Sequence, residues 1–132
     1  MLTSRTLGLA LSMVLLFSTT SEVLGHAHFD QSDPAPGTEL VAAPGAVTIW
    51  FTEELQAQDS WIRVFASDGT RADLDDSRIL SDDEKGLTVS LRPGLGRGTY
   101  SVSWQNLAKD GDGLTGSFRF GIGEVPATTD AP

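Results

Sequence analysis

Both histidines of this 132-residue chain fall within one tripeptide, His26-Ala27-His28. Upstream, Arg5 supplies a positive n-region and Leu7 to Phe17 is an apolar run too short to span a bilayer. Val23-Leu24-Gly25 then offers the small or tolerated residues of a secretory cleavage site. Cutting after Gly25 makes His26 the first residue of the mature chain. An α-amine (ordinary pKa roughly 7.7 to 8.0) and an imidazole (about 6.5) both deprotonate near neutral pH, so together they can chelate one metal ion.

Two metal geometries and one bland alternative follow. The amine, two deprotonated backbone amides and the His28 imidazole can wrap Cu(II) or Ni(II) in a square plane without help from the fold. Alternatively, amine and imidazole of His26 form a histidine brace completed by side chains from elsewhere. The bland alternative is a frayed terminus whose histidines do nothing. Asp110-Gly111-Asp112-Gly113 is the second constellation. It sits between two late strands, and at one end of a sandwich such a loop lies beside the first strand, where two carboxylates face the terminus. As a bare motif it is also an ordinary turn. It is not an EF-hand, because Gly121 stands where the bidentate glutamate belongs.

Composition narrows the donor set. There is no cysteine, and both methionines, Met1 and Met13, lie in the expected signal peptide. A thiolate zinc site is excluded and a soft Cu(I) site disfavoured, leaving nitrogen and oxygen donors. Removing residues 1–25 takes out one basic and one acidic residue, Arg5 and Glu22, so the net charge stays at −9. Such a chain repels phosphate backbones and anionic lipid, which argues against nucleic acid and membrane surfaces and for metal cations as partners.

The positioning elements read as strands. Val47, Ile49 and Phe51 alternate with Thr48 and Trp50; Ile62 and Val64 flank Arg63; Leu87, Val89 and Leu91 alternate with Thr88 and Ser90. Tyr100, Val102 and Trp104 alternate with Ser101 and Ser103, Phe118 and Phe120 flank Arg119, and a first strand runs from His28 to Ser32. Gly, Pro and Asp turns punctuate them, and no stretch shows helical periodicity. The pattern predicts an all-β fold, a small immunoglobulin-like antiparallel β-sandwich of Greek-key type with about seven strands. Gly98-Thr99-Tyr100 resembles a tyrosine corner. The expected organisation is a signal peptide over 1–25, a sandwich over 26–122 and a flexible tail over 123–132, with no membrane span in the mature chain.

Other candidates are weaker. Asp68, Asp73, Asp75, Asp76, Asp82, Asp83 and Glu84 have no regular ligand spacing and read as solvated loops. Trp50 and Trp61 fall out of phase with the apolar faces, as an exposed patch would. Glu53 and Glu54 are adjacent, so on a strand they point to opposite faces, against paired acid/base work. A hydrolytic triad has only the two terminal histidines to draw on.

Taken together, these segments resemble the CopC family of periplasmic copper-binding proteins. The resemblance rests on His26-Ala27-His28, on Ser32-Asp33-Pro34-Ala35-Pro36-Gly37, and on Val47-Thr48-Ile49-Trp50-Phe51-Thr52-Glu53. It rests above all on Gly98-Thr99-Tyr100-Ser101-Val102-Ser103-Trp104, followed by Ala108-Lys109-Asp110-Gly111-Asp112 and Thr115-Gly116-Ser117. It implies a β-sandwich holding Cu(II) through the amine and imidazole of His26 and the carboxylate of Asp110. The family's second histidine falls on Asp112, so either His28 supplies the missing nitrogen or the site is weaker than is usual. His26, His28, Asp110 and Asp112 are therefore the candidate metal ligands, with no catalytic residue among them.

The implied role is a periplasmic or secreted, monomeric Cu(II) carrier or buffer in copper resistance, with an inner-membrane copper transporter as partner. Two rivals remain open. One is a copper monooxygenase-like enzyme built on the same brace. The other is an immunoglobulin-like interaction module that binds no metal.

Overall fold

The computed structural model describes residues 25–127. The expected signal peptide, apart from Gly25, lies outside the described residues, as do residues 128–132. Among the described residues eight strands follow one another without a helix: β1 (Phe29–Asp33), β2 (Glu39–Leu40), β3 (Ala46–Phe51), β4 (Trp61–Ala66), β5 (Arg78–Ile79), β6 (Gly86–Ser90), β7 (Gly98–Leu107) and β8 (Gly113–Ile122). They form two four-stranded sheets, ordered β1-β3-β6-β5 and β2-β8-β7-β4.

The alternation that marks each strand also makes the core. In β3, Val47, Ile49 and Phe51 are buried while Ala46, Thr48 and Trp50 are half-buried. Ile62 and Val64 of β4, Leu87 and Val89 of β6, Tyr100, Val102 and Trp104 of β7, and Phe120 and Ile122 of β8 close on them from both layers. The Phe51 ring meets Trp104 edge-on at 5.0 Å between centroids, and Tyr100 stacks on Phe120 at 5.5 Å. Each such side chain contributes about 1.5–3 kcal/mol by leaving water. Without a disulfide, this packing holds the domain.

The expectation of an antiparallel sandwich with about seven strands needs two amendments. Two strands, β2 and β5, have only two residues each, too few for alternation to register. The Asp33–Gly37 turn carries the chain from the first sheet to the second, where β2 runs parallel to β8, pairing Glu39 with Gly121 and Leu40 with Ile122. All other strand pairings are antiparallel. The tyrosine corner is present: the Tyr100 hydroxyl donates to the Gly96 carbonyl at 2.7 Å.

Asp73 is not a solvated loop residue. It is fully buried, accepting from the Val64 amide at 2.7 Å and from the Arg71 guanidinium at 2.5 and 2.8 Å. Asp68 and Asp83 fix turns by accepting the amides of Thr70 and Lys85, and the exposed Asp76 accepts the Ser90 amide at the end of β6. Past β8, Gly123–Ala127 returns to the sheet: the Thr99 hydroxyl donates to Glu124 and accepts from the Ala127 amide.

Candidate metal centre

The segment Gly25–His28 crosses one end of the sandwich and is tied to both sheets. The small side chain of Ala27 is fully buried in the core. On one side, its carbonyl accepts a 2.7 Å hydrogen bond from the buried Asn106 carboxamide of β7. On the other, the His28 amide donates to the Thr52 hydroxyl at 3.0 Å and its carbonyl accepts from the Thr52 amide at 2.9 Å, just past β3. In the uncut chain the tripeptide is thus held by hydrogen bonds on both sides. Burial of the middle residue turns the two flanking histidines outward, and both are exposed. Their rings meet edge-on, 6.1 Å between centroids.

The β7–β8 loop arrives at the same end. Gly111 takes the positive φ of 95° that closes the turn, and the Asp110 carboxylate accepts the Asp112 amide at 3.0 Å. The Ala108 amide then donates to the Asp112 carbonyl at 2.8 Å. So constrained, Asp112 places Oδ2 at 3.6 Å from His26 Nδ1, each side chain about half exposed. Two donors each roughly 2.0–2.2 Å from one ion lie at most about 4 Å apart, so this spacing suits a shared metal. Asp110 instead lines a shallow cavity of about 270 Å³ together with Gly25, Glu53, Glu54, Lys85 and Lys109.

Of the four candidate ligands, His26 and Asp112 are thus brought together, His28 stands beside His26, and Asp110 lines a cavity that Gly25 also lines. Among the described residues no cluster of three or more His, Asp or Glu side chains is assembled for a metal. Glu53 and Glu54, expected to point apart, line the same cavity because the chain has left β3 for a bend. Glu54 is engaged by Lys109, which also bridges to Glu84. That hydrogen bond and charge hold the Glu54 carboxyl below its ordinary value and raise the Lys109 ammonium. Trp50 and Trp61 stand on different sheets and form no common patch, Trp61 being capped by the Arg63 guanidinium at 4.1 Å.

Sequence reasoning passed over Asn106 and Thr52, the two residues that seat the Ala27–His28 segment. The signal for Asn106 was present: it continues the inward series Tyr100, Val102, Trp104, so a polar residue was being sent into the core.

Comparisons with known proteins agree with this architecture. The CopC domain model matches residues 29–123. The copper transport protein CutJ of Bacillus subtilis (strain 168) is 33% identical over 117 residues, 89% of this chain; the chain spans only 21% of CutJ. Protein YobA of Escherichia coli (strain K12) is 29% identical over 120 residues, covering 91% of this chain and 97% of YobA. In fold, the chain is similar to CopC from Methylosinus trichosporium OB3b, with a TM-score of 0.68 and 23% identity over 79% of this chain and 98% of that one. It is also similar to PcoC, a methionine-rich copper resistance protein from Escherichia coli, with a TM-score of 0.63 and 22% identity over 74% of this chain and 99% of that one. With 95 matched residues running from the first strand to just past the last, the chain belongs to the CopC family.

Proposed function

We propose that the mature protein begins at His26 and binds one Cu(II) ion there, outside the cytoplasm, as a carrier or buffer in copper homeostasis. The observation that carries this reading is the pairing of His26 Nδ1 with Asp112 Oδ2 at 3.6 Å on a terminus anchored at Ala27. The amine released by cleavage at Gly25–His26 adds the third donor that the described side chains lack, next to the cavity wall formed by Asp110. A nitrogen-and-oxygen set of this kind suits Cu(II), and soft sulfur ligands for Cu(I) are absent from the mature sequence. Carriage requires no catalytic residue.

Among the described residues no helix is long and apolar enough to cross a membrane. A membrane copper transporter is the natural recipient. In CutJ, named as a copper transport protein, a matching segment occupies about a fifth of a much longer chain.

The test compares protein that starts at His26 with protein carrying one extra N-terminal residue, each titrated with Cu(II) against a chromophoric chelator. The processed form should bind one equivalent tightly and the extended form much more weakly, because acylation removes the amine's basicity and its chelate ring. Equal affinity would overturn the reading.

A further inference from the structure

The Asn106 side chain is fully buried, 0% exposed, yet both ends of its carboxamide are used. Nδ2 donates to the Ala27 carbonyl at 2.7 Å across 79 residues of sequence, and Oδ1 accepts the Leu114 amide of β8 at 3.2 Å. β7 and β8 are the two arms of the hairpin whose loop carries Asp110 and Asp112. One side chain thereby fastens the histidine-bearing terminus to the stem of the aspartate-bearing loop. The other side-chain hydrogen bond on the segment comes from Thr52, just past β3 of the opposite sheet, and leaves the distance to the loop unset.

Resting on the copper site proposed above, we infer that Asn106 is the positioning residue that makes that site a property of the fold. It fixes Ala27, and through Ala27 the reach of His26 toward Asp112. Without it the terminal tripeptide is free to wrap the ion alone, in the square plane of amine, amides and His28 imidazole, with the carboxylates uninvolved. Asn106 touches no metal donor directly, and its effect is on which donors can meet. Its carboxamide also suits the burial: an apolar residue there would leave the Ala27 carbonyl and the Leu114 amide without partners.

The experiment uses protein starting at His26, as wild type and as Asn106→Ala, with near-UV circular dichroism checking that the sandwich is intact. In metal-free protein, NMR relaxation of the Ala27 and His28 amides should fall from a rigid order parameter of about 0.85 to below about 0.6 in the variant. Cu(II) affinity should drop roughly 10- to 100-fold, as when an outer partner of a ligand is lost. The paramagnetic resonance spectrum should move to that of the isolated His-Ala-His peptide. If Asn106→Ala does not fold, the near-isosteric Asn106→Leu fills the same space while removing the donor to the Ala27 carbonyl, and it should give the same loosening and the same spectral change. A folded variant of either kind with wild-type affinity and spectrum overturns the inference while the copper reading stands. Wild-type protein that takes up no Cu(II) overturns the copper reading itself, and the metal role of Asn106 with it.

Discussion

Nδ1 of His26 and Oδ2 of Asp112 face each other across 3.6 Å, although 86 residues of chain separate them. Neither belongs to a strand: one precedes β1 and the other ends the β7–β8 loop. Their approach is a product of the sandwich, which delivers its first strand and its last hairpin to the same end.

The carboxylates should therefore matter to copper binding. Asp112→Ala and Asp110→Ala are each expected to weaken Cu(II) binding by at least about tenfold, the low end of what even outer ligand partners contribute. Asp112→His should tighten binding and shift the paramagnetic resonance spectrum toward more nitrogen donors. Chelator competition and the spectra of the three variants check this. If all three match wild type, the Asp110–Asp112 loop is only a turn.

Metal preference follows from the donor types. Copper should displace zinc, nickel and manganese from the mature protein in competition dialysis, in the Irving–Williams order. Since nitrogen ligands bind metal only when deprotonated, occupancy should fall as pH is lowered. A preference for Mn(II) or Ca(II) would relocate binding to the acidic loops.

Acid stability should depend on Asp73. Burial alone would raise its carboxyl, but the Arg71 guanidinium and the amides of Val64 and Asp75 outweigh burial and hold it below the ordinary 3.8. A depressed folded value means a stabilisation present in full above pH 3.8 and lost as pH falls through the folded value. Asp73→Ala should cost about 3 kcal/mol at neutral pH, the low end for breaking a buried pair because Arg71 can relax into water. That corresponds to a Tm lower by roughly 12 °C or more, measured by thermal denaturation. The variant should also lose part of the wild-type pH dependence below pH 4.

Gly121 offers a test remote from the metal. A Cβ there would run into the Glu124 carbonyl, a backbone atom that cannot swing aside. Gly121→Ala should destabilise by about 1–3 kcal/mol, as overpacking does. It should also release the Glu124–Ala127 return from Thr99, seen as faster amide exchange at Ala127. Copper binding at the far end should be unchanged.

The long strands were legible because burial on one face leaves a period of two in the sequence, as at Val47, Ile49 and Phe51. In β6 the alternation of Leu87 and Val89 with Thr88 and Ser90 marked the strand but not its exposure: Gly86 to Val89 are all buried, and Thr88 satisfies its hydroxyl against Thr48 at 2.8 Å. Strand β2 pairs with β8 far along the chain and β5 with the next strand, β6, but each has only two residues, too few for an alternation to announce it. The candidate ligands were visible as residue types. The contact of His26 with Asp112, in place of Asp110, was not, since it depends on Asp110 spending an oxygen on the Asp112 amide. Asp73 was misread as loop acid because its partners, the Val64 amide and Arg71, are set by sheet geometry and not by spacing.

The burial of Ala27 also orders events in time. A peptidase works on extended chain with room on both sides of the bond it cuts. Two residues past Gly25–His26, the chain is sealed into the core and hydrogen-bonded to both sheets. If the proposed leader is cut at Gly25–His26, a closed sandwich would hinder that cut, which places trimming before closure and metal loading after both.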